Sequence, residues 1–343
     1  MKKLLNTLYV SSQGSYLHLD GETVIVERER EKILQLPFHT LSGLVCFGNV
    51  LCSPFLLGGC AERDISVSFL TEYGRFLASV RGPVSGNVLL RREQYRMADD
   101  KAVTRNIAAN IVSGKLANCR VVLNRAVRDH GDKVDRDSIR SGVVAIDRIL
   151  DKVPVASDVD EVRGYEGLAG AEYFALFNHL IIDQKDAFIF KQRSRRPPLD
   201  EVNALLSFVY TLLAHDVRSA LETVGLDPAV GFLHRDRPGR PGLALDLMEE
   251  FRSAIADRLV LSLINRKQVS PKGFTKTSGG AVTMDVDTRK LVIAEYQKRK
   301  QESILHHYID ESVQIGLLFF VQANLMARFI RGDIDGYPPF FWR

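Results

Sequence analysis

Between Gly231 and Phe251 the chain reads GFLHRDRPGRPGLALDLMEEF, and three kinds of chemistry fall within that stretch. His234 sits in an apolar phrase. Arg235, Arg237 and Arg240 follow in a loop stiffened by Pro238 and Pro241. An apolar helix start then carries Asp246, Glu249 and Glu250. Asp246 and Glu249 are three residues apart, so on a helix both carboxylates project from nearly one face. An imidazole, paired acids and a cationic loop point to a divalent metal ion beside a polyanion. Mg2+ or Mn2+ takes oxygen ligands, tolerates an imidazole and keeps open positions for phosphate oxygens. Glu166, an acid in an otherwise apolar helix, is the further carboxylate such a site would use. Arg193, Arg195 and Arg196 form a second basic run suited to a phosphate backbone.

Each residue also has a plain structural role open to it. Glu166 reads equally as a first-turn carboxylate favoured by its helix dipole. His234 reads as a satisfied core histidine, Asp246 and Glu249 as helix-start acids, and the arginines as a solvated face. His306 and His307, near Glu302, read as a helical surface. Spacing alone leaves open which of the two co-facial acids is a ligand. HExxH, GxSxG, the P-loop and GxGxxG after a strand are all missing from the sequence.

These residues need a scaffold, and 343 residues with 45% hydrophobic and 26% charged content are enough for about two folded domains. The net charge of +4 is too small to identify a partner by itself. No apolar run approaches the ~20 residues that span a bilayer, and the start lacks a signal-peptide core. The chain is therefore expected in the cytoplasm, where Cys46, Cys52, Cys60 and Cys119, without a CxxC pair, stay reduced.

Residues 1 to about 80 read as short strands, among them Thr23–Val26 and a hairpin of Ile65–Phe69 with Phe76–Val80 turning at Tyr73-Gly74-Arg75. Ser53-Pro54 starts a short helix to about Arg63. The character changes at Arg81-Gly82-Pro83. Beyond it Val103, Ile107 and Ile111, then Leu116, Cys119, Leu123 and Val127, make a helical stripe. Further helices are expected at Ser138–Leu150, from about Gly164, from Glu201 behind an Asp200 cap to Val224, through the focal stretch to Leu263, and at Thr288–Gln301 and Ser303–Arg331. Residues 265–285 read as a mobile polar loop and the tail GDIDGYPPFFWR as an aromatic, proline-rich end.

Five phrases carry a resemblance: SGNVLLRREQY (85–95), GYEGLAGAEYF (164–174), RSRRPPLDEVNALLSFVYTLL (193–213), GLDPAVGFLHRDRPGRPGLALDLMEEFR (225–252) and RFIRGDIDGYPPFFW (328–342). Through them the chain resembles the CRISPR-associated adaptation endonuclease-integrases, the first of the Cas proteins, and most of all the subtype I-C form. The resemblance implies an α+β protein, with an N-terminal β-sandwich domain over residues 1–95 and a larger all-α catalytic domain over 96–343. It implies a Mg2+ or Mn2+ site held by Glu166, His234 and Glu249, with Asp246 supporting it. Many members have aspartate as the third ligand; glutamate here keeps the charge and reaches further. Arg252 is similar to a basic residue placed near DNA, alongside Arg193, Arg195, Arg196, Arg235, Arg237 and Arg240; Asn203 lies in a matching segment. The implied activity is spacer acquisition, in which a 3′-hydroxyl of a short duplex attacks a phosphodiester of the CRISPR array. The implied partners are a second copy, a dimer of the second Cas protein in a heterohexamer, prespacer duplex DNA and repeat and leader DNA. The alternative is a non-catalytic DNA-binding scaffold of the same complex; a hydrolase of small phosphates would not need the two arginine runs.

Overall fold

A computed structural model describes residues 6–63, 65–72, 76–80 and 88–342. Contacts divide the chain into two compact units, Met1–Gly86 and Asn87–Arg343. That division lies upstream of residue 95/96, which falls inside helix α2 (Val88–Asp99). The expected turn at residues 73–75 and the change of character at 81–83 lie outside the described residues.

The first unit holds two four-stranded sheets. One has the order β1-β5-β7-β8, from Asn6–Val10, Leu41–Phe47, Ser66–Leu70 and Phe76–Val80. β1, β5 and β7 run parallel and β8 turns back on β7, so the expected hairpin forms. The other has the order β4-β3-β2-β6, from Glu31–Pro37, Thr23–Arg28, Ser15–Asp20 and Val50–Cys52. Val10, Leu44 and Val67 of the first sheet and Leu17, Val24 and Val26 of the second share one core with Leu56 and Cys60 of helix α1 (Pro54–Glu62). Ser53 caps that helix through the amide of Leu56 at 3.2 Å. All four cysteines are free, with the Cys46 and Cys52 sulfurs 3.9 Å apart.

The second unit is built around α3 (Lys101–His130), a 30-residue helix packed against α4 (Arg136–Leu150), α5 (Val159–Ala175) and α7 (Gly242–Phe251). Ile107, Ile111, Leu116, Cys119 and Leu123 are buried, as the four-residue repeat requires. Helix α6 (Glu201–Thr223) starts on Asp200, whose carboxylate accepts the Asn203 amide at 2.7 Å. After α7 the chain makes a π-helical turn over Arg252–Asp257 and resumes as α8 (Arg258–Asn265). α9 (Val286–Gln301) and α10 (Ile315–Ile330) complete the helices.

This unit is not all-α. β9 (Phe274–Lys276) pairs with β10 (Val282–Met284) inside the segment expected as a mobile loop. β11 (Ser303–His306) pairs with β12 (Glu311–Gln314) where a helix was expected from Ser303. Asp310, with φ at 51°, makes the turn, and α10 begins only after it. His306 is therefore not on a helical surface: it is buried, with Nε2 at 2.9 Å from Gln322 Oε1. Among the described residues, no helix is long and apolar enough to cross a membrane.

The aromatic tail packs inward. Trp342 lies between the guanidinium groups of Arg125 and Arg258, 4.1 and 4.2 Å from its ring centre. Its amide donates to Asn118 on α3 at 2.7 Å. Glu250, fully buried, accepts from the Tyr337 hydroxyl, the Gln322 amide and the Phe340 backbone at 2.7–3.0 Å. At Gly114 of α3 the tail comes so close that a Cβ would stand 2.9 Å from the Pro339 ring. Burial pushes the Glu250 pKa up to about 8, against the pull of those three donors. The folded chain thus binds a proton that the unfolded chain has lost above its ordinary carboxylate value. Stability from this group is present in acid and falls as pH rises toward 8. Glu250→Gln, which cannot titrate, is expected to flatten the stability–pH curve by on the order of 4 kcal/mol between pH ~4.5 and ~8. Chemical denaturation across that range checks it; parallel curves for the two proteins would refute it.

Candidate active site

Three elements that are distant in sequence bring the site together. α5 begins at Val159 on an Asp158 cap, so Glu166 lies two turns inside the helix. The helix dipole acts on the first turn only, which removes the first-turn explanation for this carboxylate. The start of α5 is tied to the loop that carries His234: Arg163 bonds both Asp160 and the Leu233 carbonyl, and Arg235 pairs with Asp160 at 2.9 Å. Helix α2 holds the other end of that loop. Gln94 donates to the carbonyls of Asp227 and Val230, both at 2.8 Å, and accepts the Asp227 amide at 2.9 Å.

Asp246, on α7, is completely buried and organises the loop from within. Its carboxylate accepts the backbone amides of Phe232, Leu233 and His234 at 2.6, 2.9 and 2.9 Å. It also stands 2.6 Å from His234 Nδ1. That contact makes Nδ1 the protonated nitrogen and leaves Nε2 as the lone-pair donor. Gly231 makes the clamp possible, because a Cβ there would lie 2.5 Å from the Asp246 Oδ2 and 2.7 Å from the Gly242 backbone.

Glu249, one turn beyond Asp246, is 2% exposed and points toward α3. Lys115 of α3 meets Glu249 at 2.8 Å on one side and Glu166 on the other. Arg252, first residue of the π turn, closes a further ion pair with Glu249 at 2.9 Å and lies over the Tyr210 ring. Burial opposes the Glu249 charge, but Arg252, Lys115 and His234 outweigh it and lower its pKa to about 2. Burial also opposes the Lys115 ammonium, and Glu249 and Glu166 together hold its pKa above the ordinary value. Asp257, at the end of the π turn, accepts from the Tyr210 hydroxyl at 2.5 Å, and burial raises its pKa to about 6.

The structure thus gathers Glu166, His234, Asp246, Glu249 and Arg252 into one region. Among the described residues, no three His, Cys, Asp or Glu side chains stand close enough as placed to hold a metal ion. The donor chemistry nevertheless suits a hard divalent cation: two carboxylates from different helices and an imidazole with Nε2 free. A cation, the Lys115 ammonium, already lies between the two carboxylates.

The basic residues divide into two groups. Arg193 is engaged internally, donating to Asn203 Oδ1 at 2.7 Å, Ser207 Oγ at 3.1 Å and the Ser194 carbonyl. Asn203 is fully buried and also takes the Ser194 amide, which locks the start of the basic run. Arg195, Arg196 and Arg237 are exposed, and Arg240 is half-buried. Burial, then Arg237, Arg195 and Arg196, draw the Arg240 pKa below its ordinary value against the pull of Asp246. Two runs some forty residues apart in sequence therefore form one cationic cluster.

Lys115 and Asp257 are the site residues the sequence reading missed. The signal for Lys115 was present: it continues the stripe of Ile107 and Ile111 at the next four-residue step, an unmatched lysine on a buried face. The π turn that aims Arg252 and Asp257 has no comparable signature.

A family model described as CRISPR associated protein Cas1 matches residues 8–298. The chain belongs to the Cas1 family. It is 55% identical to the CRISPR-associated endonuclease Cas1 1 of Chlorobaculum tepidum and 49% identical to the CRISPR-associated endonuclease Cas1 2 of Rhodospirillum rubrum, with all of each chain covered in both cases. Among solved structures it is similar to a Cas1 protein from Thermotoga maritima, with a TM-score of 0.82 at 26% identity, covering 98% of this chain and 100% of that one. The same fold appears at 22% identity in a casposase bound to integration product, with a TM-score of 0.82 over 96% of this chain and 92% of that one. It appears also in a Cas6-RT-Cas1–Cas2 complex, with a TM-score of 0.83 over 99% of this chain and 36% of that one.

The Asp246 clamp generates a test of this Cas1-family site. Asp246→Ala strands three buried amides and is expected to cost about 3 kcal/mol. Denaturant unfolding measures it, and a loss below ~1 kcal/mol would show that the loop is held by other contacts.

Proposed function

We propose that the protein is a metal-dependent DNA endonuclease and integrase of CRISPR adaptation. In this reading it inserts short duplex DNA into the array by attack of a 3′-hydroxyl on a phosphodiester. One observation carries the reading: carboxylates from two helices, Glu166 and Glu249, converge on a single cation beside an imidazole already oriented by Asp246. The names of the relatives support endonuclease activity. The casposase supports strand transfer at the level of the fold.

Glu166, His234 and Glu249 would hold Mg2+ or Mn2+. When bound, such an ion supplies Lewis-acid stabilisation of the charge that builds on the phosphodiester. Asp246 keeps the imidazole in the tautomer that presents Nε2. Arg252 keeps Glu249 ionised inside the protein and adds positive charge beside the reacting phosphate. Arg195, Arg196, Arg237 and Arg240 bind the DNA backbone without reading sequence, and Arg235 joins them when its pair with Asp160 opens. Arg193 contributes by holding that loop in shape.

The protein works in the cytoplasm as a homodimer, with a Cas2 dimer in a heterohexamer that binds prespacer and repeat DNA. A Cas1–Cas2 assembly among the structural neighbours supports that partner. The two sheets over one core support a β-sandwich for the first unit. The phrases at 164–174, 193–213 and 225–252 support the subtype I-C form. A second reading, a DNA-binding scaffold without catalysis, draws on the fact that Lys115 and Arg252 already neutralise Glu249.

Strand-transfer assays on branched and array DNA separate the two. Alanine at Glu166, His234 or Glu249 is expected to lower strand transfer by at least ~10³-fold while duplex binding persists. Activity retained in all three variants would establish the scaffold. Neutralising Arg195, Arg196 and Arg237 together is expected to weaken binding to every duplex and to flatten the salt dependence by roughly 0.9 per lost phosphate contact. An unchanged salt slope would place the DNA elsewhere on the protein.

A further inference from the structure

Lys115 has no chemical step in the function just described, yet its position is unusual. Its side chain is 9% exposed, in the middle of a helix whose neighbouring stripe positions are apolar. Its ammonium stands between Glu166 and Glu249, the two carboxylates proposed as ligands. Glu249 is 2% exposed and Glu166 28%, and two carboxylates converging at such a partly buried place repel one another unless a cation separates them. The ammonium and a divalent ion therefore compete for one place and one charge.

Beside this position lies a small cavity, lined in part by Lys115, Tyr173, Tyr210, Arg252, Ser253 and Asp257. Two of its hydroxyl oxygens, Tyr173 Oη and Ser253 Oγ, are buried and make no close hydrogen bond; Tyr173 faces the Asp257 carboxylate and Ser253 the Cys119 thiol. Native interiors rarely leave such groups unmatched, and each one calls for a reason. An ammonium donates three hydrogen bonds and accepts none, so two hydroxyl oxygens and the Asp257 carboxylate, whose Oδ1 already takes the Tyr210 hydroxyl, make a suitable seat for it. Lys115 itself lines the cavity, so moving its ammonium there calls for side-chain rotation.

We infer that Lys115 is an internal counterion with two positions. In the metal-free chain it neutralises Glu166 and Glu249; when a divalent ion enters between them, its ammonium swings into the cavity and bonds Tyr173, Ser253 and Asp257. The inference rests on the metal-binding reading. It explains how two such carboxylates stay close together without an ion, and why the cavity carries hydroxyl oxygens that make no close hydrogen bond. It also makes metal uptake an exchange of one cation for another, so the site binds the ion more weakly than its carboxylates alone would.

Calorimetric titration of MnCl2 into the full chain, at fixed pH and ionic strength, tests it with wild type, Lys115→Met and Tyr173→Phe. Lys115→Met removes the competitor and is expected to bind Mn2+ at least about tenfold more tightly. Tyr173→Phe removes an oxygen that makes no close hydrogen bond and only faces Asp257, and is expected to bind about fivefold more weakly because the displaced ammonium loses an acceptor. An unchanged affinity in either variant overturns the inference. Should Lys115→Met fail to fold, Tyr173→Phe decides alone: weaker binding supports two positions and equal binding removes them. A wild type that takes up no Mn2+ removes the metal reading and the inference with it. A wild type that binds while Lys115→Met matches it removes only the inference.

Discussion

The carboxylate of Asp246 accepts three consecutive backbone amides and faces one imidazole nitrogen from a position with no access to water. A buried carboxylate is tolerated only when its oxygens are fully matched, and amides of adjacent residues can match it only if the chain curls around it. The Gly231–His234 loop therefore has one available path, and His234 one orientation. Gly231 and Gly242 give the room for that path, since side chains there would collide with the clamp. The arginine loop begins where the clamp ends, which sets the cationic cluster next to the imidazole.

Charge balance governs the second layer. Glu166 and Glu249 face Lys115 and Arg252, two negative charges against two positive ones, with all but Glu166 largely withdrawn from water. Removing one partner from such a network costs far more than the network itself contributes. The arrangement is thus poorly explained as a device for stability alone, and it is the feature on which the proposed metal site rests. Membership of the Cas1 family and the endonuclease names of its relatives agree with a catalytic rather than a purely structural use of these groups. The exposed arginines stand apart from this network, paired with exposed acids or with none of the site carboxylates, as expected of groups that meet an external polyanion.

The scaffold has its own buried acid. Glu250, next in sequence to Glu249, faces a different direction and binds the aromatic tail through Tyr337, Gln322 and Phe340. Adjacent acids on one helix thus serve two tasks, because neighbouring residues on a helix point about 100° apart. One carboxylate is kept ionised by cations, the other is pushed toward its neutral form by burial. The tail is in this way coupled to the helix that carries the site.

Much of this was legible in the sequence. Helical period disclosed α3, Asp200 and Ser53 marked the starts of α6 and α1, and alternation disclosed the β7–β8 hairpin; residue type and motif pointed to Glu166, His234, Asp246 and Glu249. Those are local properties, set by side-chain chemistry and by a spacing of a few residues. What the tertiary structure decided was every relation between segments. It placed Lys115 between two acids, joined arginines from two loops into one cluster, gave Asp246 and Glu249 different partners, and turned the 303–314 segment into a hairpin. Spacing assigns a residue to a face of a helix, but the charge it meets there comes from chain remote in sequence. Only the fold supplies that.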